Sequence, residues 1–241
     1  MIEILPVLGL PEIGEGDDLG ALVAAAVTLR DGDVVVVAQK AVSKSEGRIV
    51  ELDGVEPSNR ARELAGPETD LRQLEVILSE TTRVVRSRGG LVIAETRHGF
   101  VCASAGVDHS NAEPDTVVLL PVDPDASAQG IRARIRDLTG ATVAVIVTDS
   151  FGRPFRKGTT DVAIGVAGLA PLRDLRGSPD RAGLLLRSTQ IAVADEIAAA
   201  ADLVRRTKAD GVPVVVVRGV PIEGDGTALE LVIGADRDLF R

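Results

Sequence analysis

The chain has 241 residues, 45% hydrophobic and 26% charged, which is typical of a folded protein with a sizeable core. Its formal net charge of −9 at pH 7 argues against nucleic-acid binding, because phosphate backbones attract cationic surfaces, but a local basic pocket can still hold one phosphorylated ligand. The single cysteine, Cys102, excludes an intrachain disulfide. The sequence shows no signal peptide and no apolar run of about 20 residues, so we expect a cytoplasmic protein with no membrane partner.

Apolar periodicity predicts strands and helices that alternate only in places. Short β-branched runs indicate buried strands, whereas helical spacing of Leu and Ala indicates amphipathic helices. In chain order, we predict strands within residues 2–10, 31–40, 84–108, 143–147 and 212–219. We predict helices within residues 16–29, 57–81, 124–140 and 191–211.

Turn and cap residues mark several of these boundaries. Asp17 or Asp18 can cap the first helix, and Gly140 can close the helix before residue 141. Gly and Pro at 66–67 predict a break, so residues 57–81 form one helix or two. The Gly pair at 89–90 predicts a turn between antiparallel strands.

The segment 84–108 has no helix between its strands, which favours a mixed-sheet α+β fold over a doubly wound one. No linker rich in Pro, Gly or Ser separates independent domains. We therefore predict a single domain over residues 1–241, and an arrangement of two intertwined subdomains stays open.

Polar side chains follow three of the predicted strands, at positions where loops commonly carry sites. They include lysines, arginines, two aspartates, an amide and a hydroxyl: Lys40, Lys44, Arg48, Asp108, Asn111, Asp149, Ser150, Arg153, Arg156 and Lys157. Two aspartates on separate rigid elements suit Mg²⁺, which takes one or two carboxylates and keeps positions for water and phosphate. The alternative is that each aspartate only forms a turn or caps a helix.

Other catalytic motifs are absent from the sequence. There is no phosphate loop of the GxxxxGK[ST] kind, no GxGxxG that opens a helix after a strand, and no nucleophile elbow. His98 and His109 lack the spacing of metal ligands. The aspartates and their basic neighbours are therefore the main candidates for chemistry, and we assign no catalytic residue beyond ligands of metal and phosphate.

Seven segments, taken together and in order, resemble the coenzyme F-420-0:γ-glutamyl ligases, which stand alone in archaea and form the N-terminal domain of a longer ligase in mycobacteria. They are LPVLGLPEIGEGDDL, DGDVVVVAQKAVSKSEGR, AGVDHSN, LLPVDPDASA, VIVTDSFGRPFRKGTTDVAIG, VADEIAAAADLV and PVVVVRG. The resemblance implies a fold with mixed sheets, distinct from the ATP-grasp and Mur-type ligases. It also implies a homodimer whose partners are GTP, F-420-0 and L-glutamate.

The implied reaction is GTP-dependent amide formation. GTP phosphorylates the terminal carboxylate of F-420-0, the amine of L-glutamate attacks the acyl phosphate, and further rounds add γ-linked glutamates. The family uses Mg²⁺ or Mn²⁺, here expected as two ions, and is helped by K⁺.

By position, the resemblance assigns Asp108, Asp149 and Ser150 to the divalent metal, with Ser150 standing where relatives often have Thr. The implied nucleotide contacts are Leu10, Pro11, Glu12, Ile13, Gln39, Lys40, Lys44, Asn111, Leu203, Val204, Arg205, Arg206, Thr207, Lys208, Ala209 and Asp210. Arg206 replaces a glycine that is usual in relatives, which predicts looser discrimination between purines. The basic residues Arg153, Arg156 and Lys157 are expected to meet phosphate or acidic substrates, or else form a solvated turn.

Two rival hypotheses keep the same aspartates. One is a different divalent-metal-dependent phosphotransferase or phosphatase, which would not need glutamate. The other is a nucleotide-binding homologue that has lost catalysis.

Overall fold

The structure is a computed structural model that describes residues 1–110, 113–205 and 211–239. Its strands are β1 (Glu3–Pro6), β2 (Val34–Ala38), β3 (Ile49–Glu51), β4 (Thr81–Arg88), β5 (Leu91–Thr96), β6 (Val101–Ala103), β7 (Thr116–Val118), β8 (Ala144–Gly152), β9 (Thr159–Ala167), β10 (Arg173–Asp174), β11 (Gln190–Ile191) and β12 (Val214–Arg218). Its α-helices are α1 (Leu19–Ala26), α2 (Gln39–Ser45), α3 (Asn59–Leu64), α4 (Leu71–Ser79), α5 (Pro124–Thr139) and α6 (Val193–Arg205).

A five-stranded mixed sheet in the order β1-β12-β2-β8-β9 forms the centre of the fold. Strands β2 and β8 pair in parallel, and the other neighbours pair antiparallel. The four valines of β2 are all buried, because alternate side chains of a strand point to opposite faces and both faces of this sheet are covered. Val35 and Val37 join one core with residues of α1 and α5, whereas Val34 and Val36 join a second core with α6.

A second group of elements packs around a third core. The antiparallel sheet β4-β5-β6, the pair β3-β7 and the helices α3 and α4 enclose this core, which includes Leu74, Val92 and Val117. The prediction of a mixed-sheet α+β fold is confirmed. The assignment of residues 1–241 to a single domain stays a prediction.

Most predicted elements and caps appear in the structure. Asp18 accepts a hydrogen bond from the Ala21 N–H at the start of α1, and Gly140 ends α5 in the left-handed conformation at φ 74°. Residues 57–81 form two helices, α3 and α4, followed by the start of β4. No helix among residues 1–110, 113–205 and 211–239 is long and apolar enough to cross a membrane.

Strands β3, β7, β9, β10 and β11 were not predicted from the sequence, and two further local structures differ from the prediction. Strand β8 does not stop at residue 147 but continues to Gly152, because β9 pairs with it through Ser150 and Asp161 after a register shift beside Val147. Lys40 and Lys44, which follow β2, lie in helix α2, which begins at Gln39 directly after the strand. Both differences depend on tertiary partners that local periodicity does not report.

Candidate active site

Parallel pairing of β2 and β8 brings two predicted polar segments to one edge of the central sheet. Ala38, the last residue of β2, lies beside Thr148 of β8. Lys40 follows on the first turn of α2, and Asp149 follows in β8. Segments far apart in the chain therefore meet where the carboxyl end of a parallel strand commonly carries a site.

Lys40 joins this edge to Asp108. Its Nζ lies 2.7 Å from Asp108 Oδ2 and also contacts the Ser110 hydroxyl. The Ser110 N–H donates to Asp108 Oδ1 at 2.7 Å, and backbone hydrogen bonds with Val118 hold Asp108 in place. Burial opposes ionisation of Asp108, but Lys40 and Ser110 together outweigh it and lower the pKa to about 2. Asp108 is therefore a carboxylate at neutral pH.

Asp149 has a less favourable environment for its charge. Burial is the largest cause that raises its pKa to about 6, and the negative charges of Asp161 and Asp108 add to it. The Ser150 N–H, which donates to Asp149 Oδ1 at 2.9 Å, and the charge of Lys40 only partly offset these effects. An added cation at this position would relieve the repulsion. We call Asp108, Asp149 and Lys40 the acidic edge.

A second set of polar groups lies beside the acidic edge. Asp161 of β9 is 4% exposed and accepts hydrogen bonds from Ser150 Oγ at 2.6 Å and Thr148 Oγ1 at 2.9 Å. Arg205, the last residue of α6, pairs with Asp161 Oδ2 and donates to Thr148 Oγ1 at 2.9 Å. We call Asp161, Thr148, Ser150 and Arg205 the Asp161 cluster.

The sequence prediction did not assign Asp161 to the site. One signal was available, because Asp161 precedes buried Ala163 by two residues in the same strand and therefore lies on the same face. A carboxylate on a buried face of a strand needs a partner. The identity of that partner, Arg205, comes only from the tertiary structure.

Other predicted nucleotide contacts lie around α2. Gln39 is 2% exposed, and its Nε2 donates to Ser43 Oγ at 2.6 Å and to Leu119 O at 2.8 Å. Lys44 Nζ lies 2.5 Å from Oε1 of Glu12, whose side chain is 87% exposed. The structure therefore brings the predicted segment at residues 10–13 next to α2. Within it, Leu10 is half-buried, Pro11 is exposed and Ile13 is buried.

Three basic residues occupy the exposed tip of the β8–β9 hairpin. Arg153, Arg156 and Lys157 follow the end of β8, and Arg153 Nη2 donates to Lys157 O at 2.9 Å. They lie in the connection that extends beyond the paired strands rather than in the loop directly after residue 147. Their assignment to anionic substrates stays a prediction.

The predicted nucleotide segment at 203–210 is described only in part. Leu203 is 76% exposed, Val204 packs against the second core, and Arg205 belongs to the Asp161 cluster. Arg206, Thr207, Lys208, Ala209 and Asp210 lie outside the described residues, as does Asn111.

The thiol of Cys102 lies close to this site without taking part in it. Cys102 is buried in β6, and its burial, followed by the negative charge of Asp149, raises its pKa to about 12. A thiol with such a pKa is not a nucleophile at neutral pH.

With this geometry in place, comparison with known proteins identifies the family. Residues 8–219 match the family model described as F420-0:Gamma-glutamyl ligase. The chain belongs to this family.

Proteins named Coenzyme F420:L-glutamate ligase are similar to the chain over its full length. The one from Methanothermobacter thermautotrophicus is 42% identical and is covered over 99% of its own length. That from Methanopyrus kandleri is 44% identical with 98% covered, and that from Archaeoglobus fulgidus is 42% identical with 96% covered. The family resemblance drawn from the sequence is confirmed.

The donors of this member of the family fit a hard divalent ion that is only partly enclosed by protein. Among the described residues, no group of three or more His, Cys, Asp or Glu side chains is placed to hold a metal. Mg²⁺, however, usually takes one or two carboxylates and completes its shell with water and phosphate. Asp108 and Asp149 provide two carboxylates, whereas Ser150 contacts Asp149 through its backbone N–H and donates its hydroxyl proton to Asp161.

Proposed function

We propose that this protein is a GTP-dependent ligase that joins L-glutamate to coenzyme F-420-0 and then adds further γ-linked glutamates. The proposal is supported by membership of the family and by the full-length relatives named as glutamate ligases of this coenzyme. The observation that carries it is the convergence of Asp108, Asp149 and Lys40 where β2 and β8 run parallel.

The proposed chemistry has two steps. The terminal carboxylate of F-420-0 attacks the γ-phosphorus of GTP, so that an acyl phosphate forms and GDP leaves. The amine of L-glutamate then attacks the acyl carbon, the amide bond forms, phosphate leaves and the amine loses a proton. Phosphoryl transfer of this kind depends mainly on positioning and on neutralising negative charge.

Asp108, Asp149 and Ser150 would hold the divalent metal, Mg²⁺ or Mn²⁺. When bound, the metal neutralises phosphate oxygens of the nucleotide. Two divalent ions, assistance by K⁺ and assembly as a homodimer belong to the same proposal and rest on the family resemblance.

Two lysines have separate tasks in this proposal. Lys40 holds Asp108 in its ionised form through the 2.7 Å ion pair, which keeps that carboxylate ready for a cation. Lys44 pairs with the exposed Glu12 and can exchange this partner for a nucleotide phosphate with little loss, because exposed ion pairs contribute roughly 0–1 kcal/mol. In the protein without nucleotide, Glu12 would then occupy the position beside Lys44 that a phosphate group takes in the complex.

Recognition of the two acidic substrates is assigned to local cations. The exposed hairpin tip with Arg153, Arg156 and Lys157 is the candidate for carboxylates and the phosphodiester. A net charge of −9 makes such local positive charge necessary for anionic ligands.

A reconstitution assay tests the proposed function. Purified protein is incubated with GTP, Mn²⁺, F-420-0 and L-glutamate, and products are identified by mass spectrometry. An amide product that requires all four components supports the ligase. Phosphate release that is independent of glutamate would instead support a phosphatase or another phosphotransferase, and nucleotide binding without turnover would support a non-catalytic homologue.

A further inference from the structure

The two carboxylates of the acidic edge come from different parts of the fold. Asp108 belongs to the segment 49–118, whose described residues build most of the third core, whereas Asp149 lies in the central sheet. The chain enters and leaves this segment through β3 and β7, which pair antiparallel with Ile49 opposite Val118. We call the segment 49–118 the inserted lobe. A cation shared by Asp108 and Asp149 requires the inserted lobe to hold a fixed position against β8.

Phe100 of the inserted lobe is buried in the core that lies against the central sheet rather than in the third core. It is 7% exposed, and among the described residues it is the one side chain of the inserted lobe in the core formed with α1 and α5. Its ring meets that of Phe151 edge-on, with ring centroids 6.5 Å apart and an interplanar angle of 70°. Edge-to-face aromatic pairs are favourable beyond the area that they bury. The ring pair therefore joins the inserted lobe to β8.

The positions of the two rings along the chain connect them to the two carboxylates. Phe151 follows Asp149 by two residues in β8, so both side chains lie on the same face of the strand. Phe100 directly precedes β6, and the chain runs from β6 through a short turn to Asp108. Strand β6 itself contacts β8. The ring pair therefore lies between the two segments that carry the carboxylates.

Two further contacts hold the segment around Phe100. The ring of His98 stacks on Phe100 with centroids 5.7 Å apart, and its Nε2 lies 2.9 Å from Pro121 O. In the turn after β6, Gly106 at φ 74° approaches Leu120 so closely that an added Cβ would lie 2.6 Å from Leu120 Cγ. Leu120 and Pro121 both lie outside the inserted lobe. The segment is therefore held on both sides of Phe100 by the rest of the protein.

We propose that Phe100 and Phe151 are positioning residues for the metal site. The ring pair fixes the inserted lobe against β8 and so sets the distance between the carboxylates of Asp108 and Asp149. A close-packed contact suits this task, because even a small gap between apolar groups loses much of their attraction. This inference rests on the proposed metal role of the two aspartates, through which the rings act.

The first measurement reports the geometry in the absence of metal. Spin labels are attached at Leu91→Cys in the inserted lobe and at Asp137→Cys on α5, two exposed positions, while Cys102 is buried and unreactive. Double electron–electron resonance then gives the distribution of distances between the labels in the whole protein. Phe100→Ala should broaden this distribution. An unchanged distribution would overturn the proposal.

Leu169→Ala is the matched control for loss of core packing. It removes a side chain that is 1% exposed from the second core, on the other face of the central sheet, and large-to-small changes at Leu and Phe cost similar amounts of stability. It should lower the melting temperature about as much as Phe100→Ala does but leave the distances unchanged. Equal broadening in both variants would mean that the ring pair contributes only to general stability.

The second measurement is Mn²⁺ binding, followed by electron paramagnetic resonance of free Mn²⁺ during titration with GDP present. Phe100→Ala should weaken binding by about 10–100-fold, the range typical of losing a group that orients a metal ligand. Phe100→Leu keeps most of the apolar volume and should recover most of the affinity, whereas Leu169→Ala should stay within about 2-fold of the unmodified protein. If Phe100→Ala is not recovered folded, Phe151→Ala removes the half-buried partner ring instead. Unchanged Mn²⁺ affinity without either ring would overturn the proposal.

Asp108→Asn separates this inference from the metal site on which it rests. If Asp108→Asn weakens Mn²⁺ binding and Phe100→Ala does not, the positioning role is overturned and the metal role of Asp108 stands. If Asp108→Asn leaves Mn²⁺ binding unchanged, both roles are overturned. In the double variant, Phe100→Ala should add no further loss to that of Asp108→Asn, and an additive loss would contradict action through Asp108.

Discussion

Asp149 and Asp161 lie on neighbouring strands of one sheet but have opposite surroundings. Asp161 is 4% exposed, has an arginine as its partner and accepts two hydroxyl protons. Within the described residues, Asp149 accepts one backbone N–H, and its pKa is raised first by burial and then by the charges of Asp161 and Asp108. The charge of Asp161 is compensated by the protein, whereas that of Asp149 is compensated only in part.

This difference distinguishes a carboxylate that stabilises the fold from a carboxylate that can bind a cation. A buried carboxylate with a full set of partners contributes rigidity and does not attract another cation. A carboxylate whose neighbours are other carboxylates gains most from an ion that comes from outside. The Asp161 cluster is therefore suited to stabilise the local structure, whereas the acidic edge is suited to bind a cation. Substitutions in the two places should have different effects.

The largest effect is expected for the acidic edge. Asp149→Asn should lower ligase turnover by more than about 100-fold, since even the outer partners of metal ligands commonly cost 10–100-fold when lost. Steady-state amide formation at low millimolar Mn²⁺ measures this. Asp137→Asn on the exposed face of α5 makes the same charge change and serves as the control. Near-normal turnover of Asp149→Asn would contradict the metal assignment.

A smaller effect is expected at the lysine near the nucleotide. Lys44→Ala should raise the KM for GTP about 10-fold, because a phosphate loses one charged partner worth roughly 1.5 kcal/mol. Arg136→Ala removes a positive charge from the exposed face of α5, outside the assigned sites, and should not raise this KM. Equal KM values for Lys44→Ala and Arg136→Ala would contradict the assignment of Lys44 to phosphate.

The stability of the metal-free protein should change in the direction opposite to activity. The pKa of Asp149 is raised to about 6, first by burial, so its ionised form opposes folding. Asp149→Asn should therefore increase the free energy of unfolding by about 1 kcal/mol at pH 7, with screening of a half-buried group taken into account. The gain should vanish below about pH 4, where both states are protonated, and grow between pH 4 and 6.

Urea unfolding in the presence of a chelator, repeated across this pH range, gives the measurement. Asp137→Asn again provides the comparison for a solvent-exposed carboxylate. A loss of stability for Asp149→Asn at pH 7 would mean that Asp149 is compensated within the protein, as Asp161 is.

The smallest effect concerns the choice of purine. The resemblance predicts that Arg206 replaces a glycine, so we expect binding of the nucleotide through phosphates and a preference for GTP over ATP of only a few-fold. Phosphate contacts are the same for both nucleotides, and one base hydrogen bond contributes about 1 kcal/mol. Competition between GTP and ATP at equal concentration, repeated with Arg206→Gly, tests this. Strict dependence on GTP in the unmodified protein would show that other residues read the base.

Local features of the fold were predictable from the sequence. The valine runs of β2 and β12 predicted buried strands, because a strand covered on both faces needs no polar alternation. The caps at Asp18 and Gly140 were also predictable, since short-range hydrogen bonds and backbone conformation determine them. The extension of β8 beyond residue 147 was not, because its pairing with β9 lies outside the periodicity of either strand.

The sequence by itself identified the family and the candidates for chemistry, since Asp108, Asp149, Ser150 and their basic neighbours follow apolar strands. Only the tertiary structure decided which of them meet. The parallel register of β2 and β8 places Lys40 beside Asp149, and the approach of α6 to β9 gives Asp161 its arginine. The physical reason is that periodicity and caps act over a few residues, whereas strand order and charge pairing depend on contacts between distant segments.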